Sequence, residues 1–303
     1  MNTRTSRRRV LRISLPGAGP GEGGSARAEP RADLLATEEP LGIRVGGQAL
    51  TLTMRTPGDD IDLAAGFLVS EGIVASPGDI TQMRICTADN CGHDDHGGAA
   101  NGGAANGGAA NGGDGAGNIA DVDLAPGVTV SPALRRNFLT TSACGVCGKT
   151  SIAELFVKGH FDLHADQVRV SPAVLALLPD RLRGAQRVFE RTGGLHAAGV
   201  FTAGGELLCA REDVGRHNAV DKVVGWALRQ GRLPLAGCVL LVSGRASFEL
   251  VQKAVLAGIP VLAAVSAPSS LAADLAQEAG LTLVGFLRGG SMNVYSAAHR
   301  IAR

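Results

Sequence analysis

The sequence predicts an α/β fold in which a parallel sheet occupies the second half of the chain. Three short apolar runs, at 238–242, 259–265 and 281–286, are separated by segments with helical spacing of apolar residues. Strands that alternate with helices of about ten residues form right-handed β-α-β units, and such units build parallel sheets. With 303 residues, the chain is long enough for one large domain or two small ones.

The first half of the chain is predicted to form a smaller α+β domain. Residues 41–45 and 49–52 alternate apolar and polar side chains on either side of Gly46-Gly47, which is typical of a β-hairpin. Residues 59–70 place their apolar side chains on one helical face. Asp59 stands at the N-terminal end of this predicted helix, where the helix dipole favours negative charge. We therefore expect a hairpin followed by a helix.

Three helices are predicted to accompany the strands of the second half. Apolar residues at helical spacing indicate a helix over about 218–229 and another over 248–256 that is closed by Gly258. A third helix ends near Gly280.

Composition divides the chain into three parts. Residues 1–30 are rich in Gly, Pro, Arg and Ser, so we expect a disordered tail. Residues 31–165 form the predicted N-terminal domain, in which 97–117 contain repeated Gly-Gly-Ala-Ala-Asn and are predicted to be a flexible surface insertion. Residues 166–303 form the predicted sheet domain.

Charge and composition argue against nucleic acid and membranes as partners. The formal charge is +1, and one Trp, one Tyr and eight Phe offer few rings for stacking on bases. No apolar run reaches the roughly 18 residues that cross a bilayer. Arg7-Arg8-Arg9 resembles a twin-arginine export signal, but Pro16 and Gly17 interrupt the apolar stretch that export requires. We expect a cytoplasmic protein whose six cysteines are not paired in structural disulfides.

The predicted strands all end in loops of small residues, two of which carry arginine. In parallel sheets, ligands bind where the carboxyl ends of the strands meet. Backbone amides, Ser243 and the guanidinium groups of Arg245 and Arg288 would suit phosphate at that edge. A single Ser-Gly loop is usually only a turn, but three on one edge favour a nucleotide site.

Two cysteines lie in a glycine-flanked loop, Cys144-Gly-Val-Cys147. Lys149 and a helix predicted to begin at Ser151 would both stabilise a thiolate. A thiolate can attack a donor persulfide and accept its sulfur.

Other chemistries use the same residues. Cys86 and Cys91 together with the loop cysteines could bind zinc, and CxxC is also a dithiol redox motif. A P-loop is disfavoured because no apolar strand precedes it. The spacing leaves the persulfide, metal and redox interpretations open. Cys209 and Cys238 stand in apolar strands and are expected to be core residues.

The charged segment 211–222 stands at the start of a predicted helix. Its side chains could form a solvated helix cap with internal ion pairs, or Asp213, Arg216 and His217 could lie beside a ligand. The sequence does not choose between the two.

Five motifs follow one another along the chain: Thr-Ser-Ala-Cys144-Gly-Val-Cys147-Gly, Arg-Thr-Gly-Gly194-Leu-His196, Arg211-Glu-Asp213-Val-Gly-Arg216-His217-Asn218-Ala-Val-Asp-Lys222, Ser243-Gly-Arg245-Ala-Ser and Gly285-Phe286-Leu-Arg288-Gly-Gly-Ser-Met-Asn293. With them, the chain resembles the formate dehydrogenase accessory sulfurtransferase family, FdhD, from about Arg31 to Arg303 apart from the insertion.

The resemblance implies a function and partners. Members of the family accept sulfur from a cysteine desulfurase and pass it to the bis-molybdopterin guanine dinucleotide cofactor, which then serves formate dehydrogenase. It further implies a cytidine deaminase-like C-terminal domain, binding of guanine nucleotides as fragments of the cofactor, and a homodimer.

The resemblance also implies site residues. The family's persulfide cysteine falls on Cys144, and its companion falls on Cys147. The family's cofactor-binding segment falls on Phe286, Leu287, Arg288, Gly289, Gly290 and Ser291. This segment lies at the sheet edge where Ser243 and Arg245 are predicted to bind phosphate.

Two alternatives belong to other functional classes. A zinc-dependent deaminase would carry a His-x-Glu motif upstream of Pro-Cys-x-x-Cys, whereas this chain has His196-Ala-Ala downstream of its CxxC. A cofactor chaperone would bind the dinucleotide without moving sulfur. A requirement for Cys144 would distinguish a sulfurtransferase from such a chaperone.

Overall fold

The computed structural model describes residues 4–15, 26–87, 117–131 and 161–302. Within these ranges the strands form sheets of two, four and six strands. The strands are β1 (Thr5–Ser14), β2 (Arg27–Ala36), β3 (Glu39–Val45), β4 (Gln48–Arg55), β5 (Ile80–Cys86), β6 (Ile119–Leu124), β7 (His196–Thr202), β8 (Leu207–Asp213), β9 (Cys238–Val242), β10 (Val261–Ala264), β11 (Thr282–Arg288) and β12 (Ser291–Val294). The helices are α1 (Asp60–Ser70), α2 (Pro172–Ala185), α3 (Arg187–Thr192), α4 (Arg216–Arg229), α5 (Phe248–Leu256) and α6 (Ser270–Glu278).

The six-stranded sheet confirms the predicted α/β class. Its order is β12-β11-β10-β9-β7-β8, and the three predicted strands β9, β10 and β11 lie side by side and parallel. β7, β8 and β12 are antiparallel to their neighbours, so the sheet is mixed. Strand β9 has the predicted bounds, whereas β11 continues two residues beyond the predicted end.

The four-stranded sheet contains the predicted hairpin. β3 and β4 are antiparallel neighbours, and the turn residues Gly46 and Gly47 have φ values of 58° and 73°. Positive φ at both central positions matches a type I′ turn, whose twist suits a two-residue hairpin. β6 runs parallel to β3 on the other side, and α1 follows β4 as expected.

Residues 5–14, which we expected to be disordered, instead pair with β2 as a two-stranded antiparallel ribbon. Arg8 faces Asp33 and Arg12 faces Glu29 across the ribbon, and opposite charges in such positions stabilise pairing. At the ribbon's base, Arg4 donates a hydrogen bond of 2.7 Å to Asp59. The composition of residues 1–30, rich in Gly, Pro and Arg, predicted disorder. It did not show the pairing, because the partner strand β2 begins only at Arg27.

Helices α1 and α4 join the two halves of the chain. A Cβ atom built on Gly66 would lie 1.8 Å from the Asp221 carbonyl oxygen, and one built on Gly225 would lie 1.8 Å from the Asp62 carbonyl oxygen. The two backbones therefore touch directly, which only glycine permits. Leu63 and Val224 belong to one buried cluster that continues on both sides of this contact.

Some expectations about organisation lie beyond what the structure describes. Most of the predicted insertion at 97–117 lies outside the described residues, and the boundary that we placed between 165 and 166 stays a prediction. Among the described residues, no helix is both long and apolar enough to span a membrane.

Replacing either helix-contact glycine with alanine is expected to destabilise the fold. Gly66→Ala and Gly225→Ala each force a methyl group into backbone atoms of the facing helix, and we expect a loss of about 3 kcal/mol or more in the free energy of unfolding. Urea denaturation monitored by circular dichroism measures this loss.

Gly184→Ala is the matched control, because Gly184 lies within helix α2 and a Cβ atom there would meet nothing within 4 Å. This variant should be neutral or more stable by about 0.5–1 kcal/mol, as expected for Gly to Ala in a helix. Equal stability of all three variants would contradict the close approach of α1 and α4.

Candidate functional site

The loops after the parallel strands meet at one edge of the six-stranded sheet. The Ser266 amide, after β10, donates to the Gly244 carbonyl at 3.2 Å, and the Phe286 amide, in β11, donates to the Ser266 carbonyl at 3.1 Å. These bonds join the Ser243-to-Arg245 segment to the Phe286-to-Ser291 segment through the loop between them. The structure thus places both groups of predicted cofactor-binding residues at the same edge.

The Phe286-to-Ser291 segment is a β-hairpin rather than the simple loop that we expected after β11. Arg288 pairs with Ser291, and the two residues between them, Gly289 and Gly290, have φ values of 57° and 77°. Positive φ at both positions selects a type I′ turn and favours glycine there. The short strand β12 escaped prediction because it has only four residues, too few for its alternation to stand out, and most of them are exposed.

The residues of this hairpin differ in what they expose. Leu287 is buried in the core below the sheet, so its side chain anchors the hairpin. Arg288, Gly289, Gly290 and Ser291 are exposed. The Arg288 guanidinium carbon lies 5.7 Å from the centre of the Phe286 ring, within the range of a cation–π contact. The hairpin therefore presents one arginine beside an aromatic ring.

Phe286 adopts a backbone conformation that is uncommon for a residue with a side chain. Its φ is 52°, and the sheet register is irregular between Gly285 and Arg288. Left-handed conformations of bulky residues are costly and occur mainly where neighbouring structure enforces them. Here the enforcing contact is the hydrogen bond from the Phe286 amide to Ser266.

The Ser243-to-Arg245 segment is fixed at its base and open at its tip. The Ser243 hydroxyl accepts a hydrogen bond of 2.9 Å from the Ala197 amide, and the Ser243 amide donates to the Ala197 carbonyl. Arg245 is exposed, and the next residue, Ala246, is buried and bridges to Pro268 in the neighbouring loop.

The backbone amides at this edge have a different role from the one that we expected. Those of Ser243, Ala246, Ser266 and Phe286 already donate to carbonyl groups of adjacent strands and loops. They are not available to phosphate oxygens. The guanidinium groups of Arg245 and Arg288 are exposed donors on these two segments, and each can form a bidentate contact with an anion.

Part of the charged segment 211–222 is structural. The Asp213 carboxylate and the Lys222 ammonium are 2.7 Å apart and almost completely buried. Asp213 also accepts hydrogen bonds from the amides of Thr56 and Gly215 and from the Asn218 side chain. This network ties the turn between β8 and α4 to the end of β4.

Two further carboxylates fix helices around the turn. Asp62 in α1 lies 2.9 Å from Arg211 and 2.6 Å from Arg229, on either side of the α1–α4 contact. Glu212 accepts hydrogen bonds from the Val188 and Phe189 amides at the start of α3. These acids hold structure, but they are buried and bind other elements, whereas the helix-cap interpretation expected a solvated cap with internal ion pairs.

Unlike these buried acids, Arg216 and His217 at the start of α4 lie at the edge of the six-stranded sheet. The His217 Nε2 atom is 2.5 Å from a carboxylate oxygen of Glu249 in the first turn of α5, and 3.4 Å from the Ser247 hydroxyl. The hydrogen bond from His217 lowers the pKa of Glu249. Burial, together with the nearby charges of Arg216 and His217, lowers the pKa of His196 at the start of β7.

Three of the six cysteines, Cys86, Cys209 and Cys238, lie within the described residues. Cys144 and Cys147 lie outside the described residues. Cys209 is a core residue as predicted, and burial raises the pKa of its thiol to about 12. Burial also raises the pKa of Cys238. Cys86 is disulfide-bonded, although we expected unpaired cysteines.

No group of three or more His, Cys, Asp or Glu side chains within the described ranges is arranged to hold a metal ion. The zinc set considered above consists of Cys86, Cys91, Cys144 and Cys147. All but the first of these lie outside the described ranges.

Comparison with known proteins gives a consistent family. The model of the FdhD/NarQ family matches residues 36–302. The protein named sulfur carrier protein FdhD of Nocardia farcinica is 54% identical, with 98% of this chain and 95% of that protein aligned. The protein of the same name from Streptomyces coelicolor is also 54% identical, over 98% of this chain and 96% of that protein.

A solved structure supports the fold. The crystal structure of a protein from Desulfotalea psychrophila, described as a formate dehydrogenase accessory protein, aligns with a TM-score of 0.69 over 99% of this chain and 100% of that chain. The two sequences are 21% identical, so this likeness concerns the fold alone.

Removing the buried lysine is expected to destabilise the protein strongly. Lys222→Met leaves the Asp213 carboxylate buried without its counter-charge, which costs about 3–5 kcal/mol in the free energy of unfolding. Thermal or urea unfolding measures the loss, and adding Asp213→Asn to Lys222→Met should recover part of it.

Arg229→Met is the control, because this arginine is on the same helix but its side chain is 45% exposed in its pair with Asp62. Because Asp62 keeps Arg211 as a second partner, losing this half-exposed arginine should cost only about 1 kcal/mol. If the two single variants lost equal stability, the Asp213–Lys222 pair would not be the constraint that its burial indicates.

Proposed function

Because this chain belongs to the FdhD/NarQ family, we propose that it is a cytoplasmic sulfurtransferase, a carrier that accepts persulfide sulfur from a cysteine desulfurase. It delivers this sulfur to the bis-molybdopterin guanine dinucleotide cofactor that formate dehydrogenase requires. The observation that carries the proposal is the match over nearly the full chain to several proteins named sulfur carrier protein FdhD. The protein acts as a homodimer in this proposal.

Cys144 is the proposed sulfur-bearing residue, and Cys147 is its companion. The Cys144 thiolate attacks the outer sulfur of the donor's persulfide, the donor cysteine leaves as a thiolate, and Cys144 becomes a persulfide. Gly145 within the CxxC motif, Gly148 after it and the nearby Lys149 favour an accessible thiolate. The raised pKa values of Cys209 and Cys238 make these two thiols poor candidates for the same step.

The sheet edge is the proposed binding site for the cofactor. Arg245 and Arg288 supply the charge that diphosphate groups need, and the Phe286 ring offers an apolar face beside one of them. Gly289 and Gly290 carry no side chains that would keep a ligand from the hairpin backbone. Ser243 and Ser291 complete the proposed set, while Leu287 acts only by anchoring the hairpin in the core.

Loss of Cys144 is expected to abolish sulfur loading. After incubation with a cysteine desulfurase and cysteine, the intact mass of the wild-type protein should rise by about 32 Da, and a reductant should remove the gain, as persulfide exchange chemistry requires. Cys144→Ala should show no gain in mass and should fail to support formate dehydrogenase activity.

Cys238→Ala is the control and should load sulfur normally, since burial makes that thiol less acidic. Full formate dehydrogenase activity with Cys144→Ala would overturn the sulfurtransferase proposal. It would favour the alternative of a chaperone that binds the cofactor without moving sulfur.

Loss of Arg288 is expected to weaken nucleotide binding without affecting sulfur loading. Hydrogen bonds to charged groups contribute about 1.5–3 kcal/mol, so Arg288→Ala should lower the affinity for guanosine diphosphate roughly ten- to a hundredfold. Calorimetric titration measures the affinity, and the mass assay checks that Cys144 still loads.

Arg232→Ala is a matched control, because the Arg232 guanidinium lies over the Trp226 ring at 5.6 Å, much as Arg288 lies over Phe286 at 5.7 Å. Arg232 follows the C-terminal end of α4, away from the edge. Equal binding by wild type, Arg288→Ala and Arg232→Ala would place the nucleotide elsewhere.

A further inference from the structure

A second group of polar side chains lies on the same edge, beyond the residues proposed for the cofactor. β7 is the antiparallel neighbour of β9, with Ala198 opposite Val242, so β7 begins where β9 ends. His196, the first residue of β7, therefore lies beside the Ser243-to-Arg245 segment. Its ring nitrogen Nδ1 is 3.4 Å from the position that a Cβ atom on Gly244 would occupy.

Arg216 supplies this group with a guanidinium that forms no ion pair within the described residues, and its charge acts on Glu249 only at longer range. The two nearby carboxylates already have basic side-chain partners, Asp213 in Lys222 and Glu249 in His217. Arg216 has no ion pair or side-chain hydrogen bond with any residue that the structure describes, and its Nε atom is buried without an acceptor. Buried donors are normally satisfied, and leaving one unpaired is costly.

His196 adds a donor that carries no charge. Burial lowers its pKa, and the charges of Arg216 and His217 lower it further, against the opposing effect of Asp213. A neutral imidazole carries one N–H donor and one acceptor nitrogen. An unpaired guanidinium beside a neutral imidazole suits an anion with several acceptor oxygens.

We propose that Arg216 and His196 form a phosphate-binding subsite, separate from Arg288, at which a second phosphoryl group of the ligand binds. The strand order β11-β10-β9-β7 puts the two positions three strand spacings apart, roughly 14 Å. A ligand with two separate phosphate-bearing arms, as in a dinucleotide, can occupy both. The inference deepens the proposed function, because it assigns further residues to the ligand of the same edge.

The test uses inorganic pyrophosphate as the probe on the full-length protein and follows the pKa of His196 by NMR. A bound anion should raise the pKa of His196 in the wild type, because negative charge favours the protonated imidazole. Arg216→Ala alone should also raise it by removing a cation, and pyrophosphate should then change it no further. The affinity for pyrophosphate should fall about ten- to a hundredfold in this variant.

Arg216→Lys guards against misfolding of the alanine variant. It keeps the charge but loses the planar fork, so its affinity should lie between those of wild type and Arg216→Ala. Arg288→Ala should leave the response of His196 to pyrophosphate intact, which separates this subsite from the proposed function. The proposal is overturned if pyrophosphate leaves the pKa of His196 unchanged in the wild type, or if wild type, Arg216→Lys and Arg216→Ala bind pyrophosphate equally.

Discussion

The direct contact between the backbones of helices α1 and α4 is the constraint on which the rest of the structure depends. Gly66 and Gly225 each face a carbonyl group of the other helix, so neither helix can move outward without opening a gap or inward without a clash. α4 begins with Arg216 and His217, so the depth at which α1 holds this helix sets the position of both side chains. A packing feature far from the sheet edge thus determines the geometry of that edge.

Buried charge reinforces this constraint around the turn between β8 and α4. Isolated buried ion pairs contribute little net stability, because removing both charges from water is expensive. Asp213 offsets that cost by accepting hydrogen bonds from Thr56, Gly215 and Asn218 in addition to its contact with Lys222. Each of these bonds has a fixed direction, so the network selects one arrangement of the turn. The Asp213 carboxylate fixes the position of the turn, and because it pairs with Lys222, Arg216 forms no ion pair among the described residues.

Sequence patterns predicted the interior of this protein better than its edge. Strand β9 was predicted to the residue because a buried strand is a continuous apolar run, and the turn at Gly46-Gly47 followed from glycine's access to positive φ. The ribbon of β1 and β2 was missed because its pairing depends on charges about twenty residues apart. Contacts between distant segments determine which amides at the sheet edge are already engaged. They also determine that Arg216 lacks an ion-pair partner among the described residues. No local pattern encodes such contacts.

The ribbon of β1 and β2 has a mechanical consequence. Ten residues per strand extend roughly 33 Å, and the attachment at its base is narrow. Arg4 binds Asp59, which also lies 3.5 Å from Arg211. The Cβ atom of Ala36 lies 3.6 Å from the position that a Cβ atom on Gly194, two residues before His196, would occupy. Most of the ribbon is therefore exposed to solvent, and its base lies against the segment that leads into β7. A force applied at its tip therefore bears on the segment in front of His196 and on helix α3, which β2 also contacts.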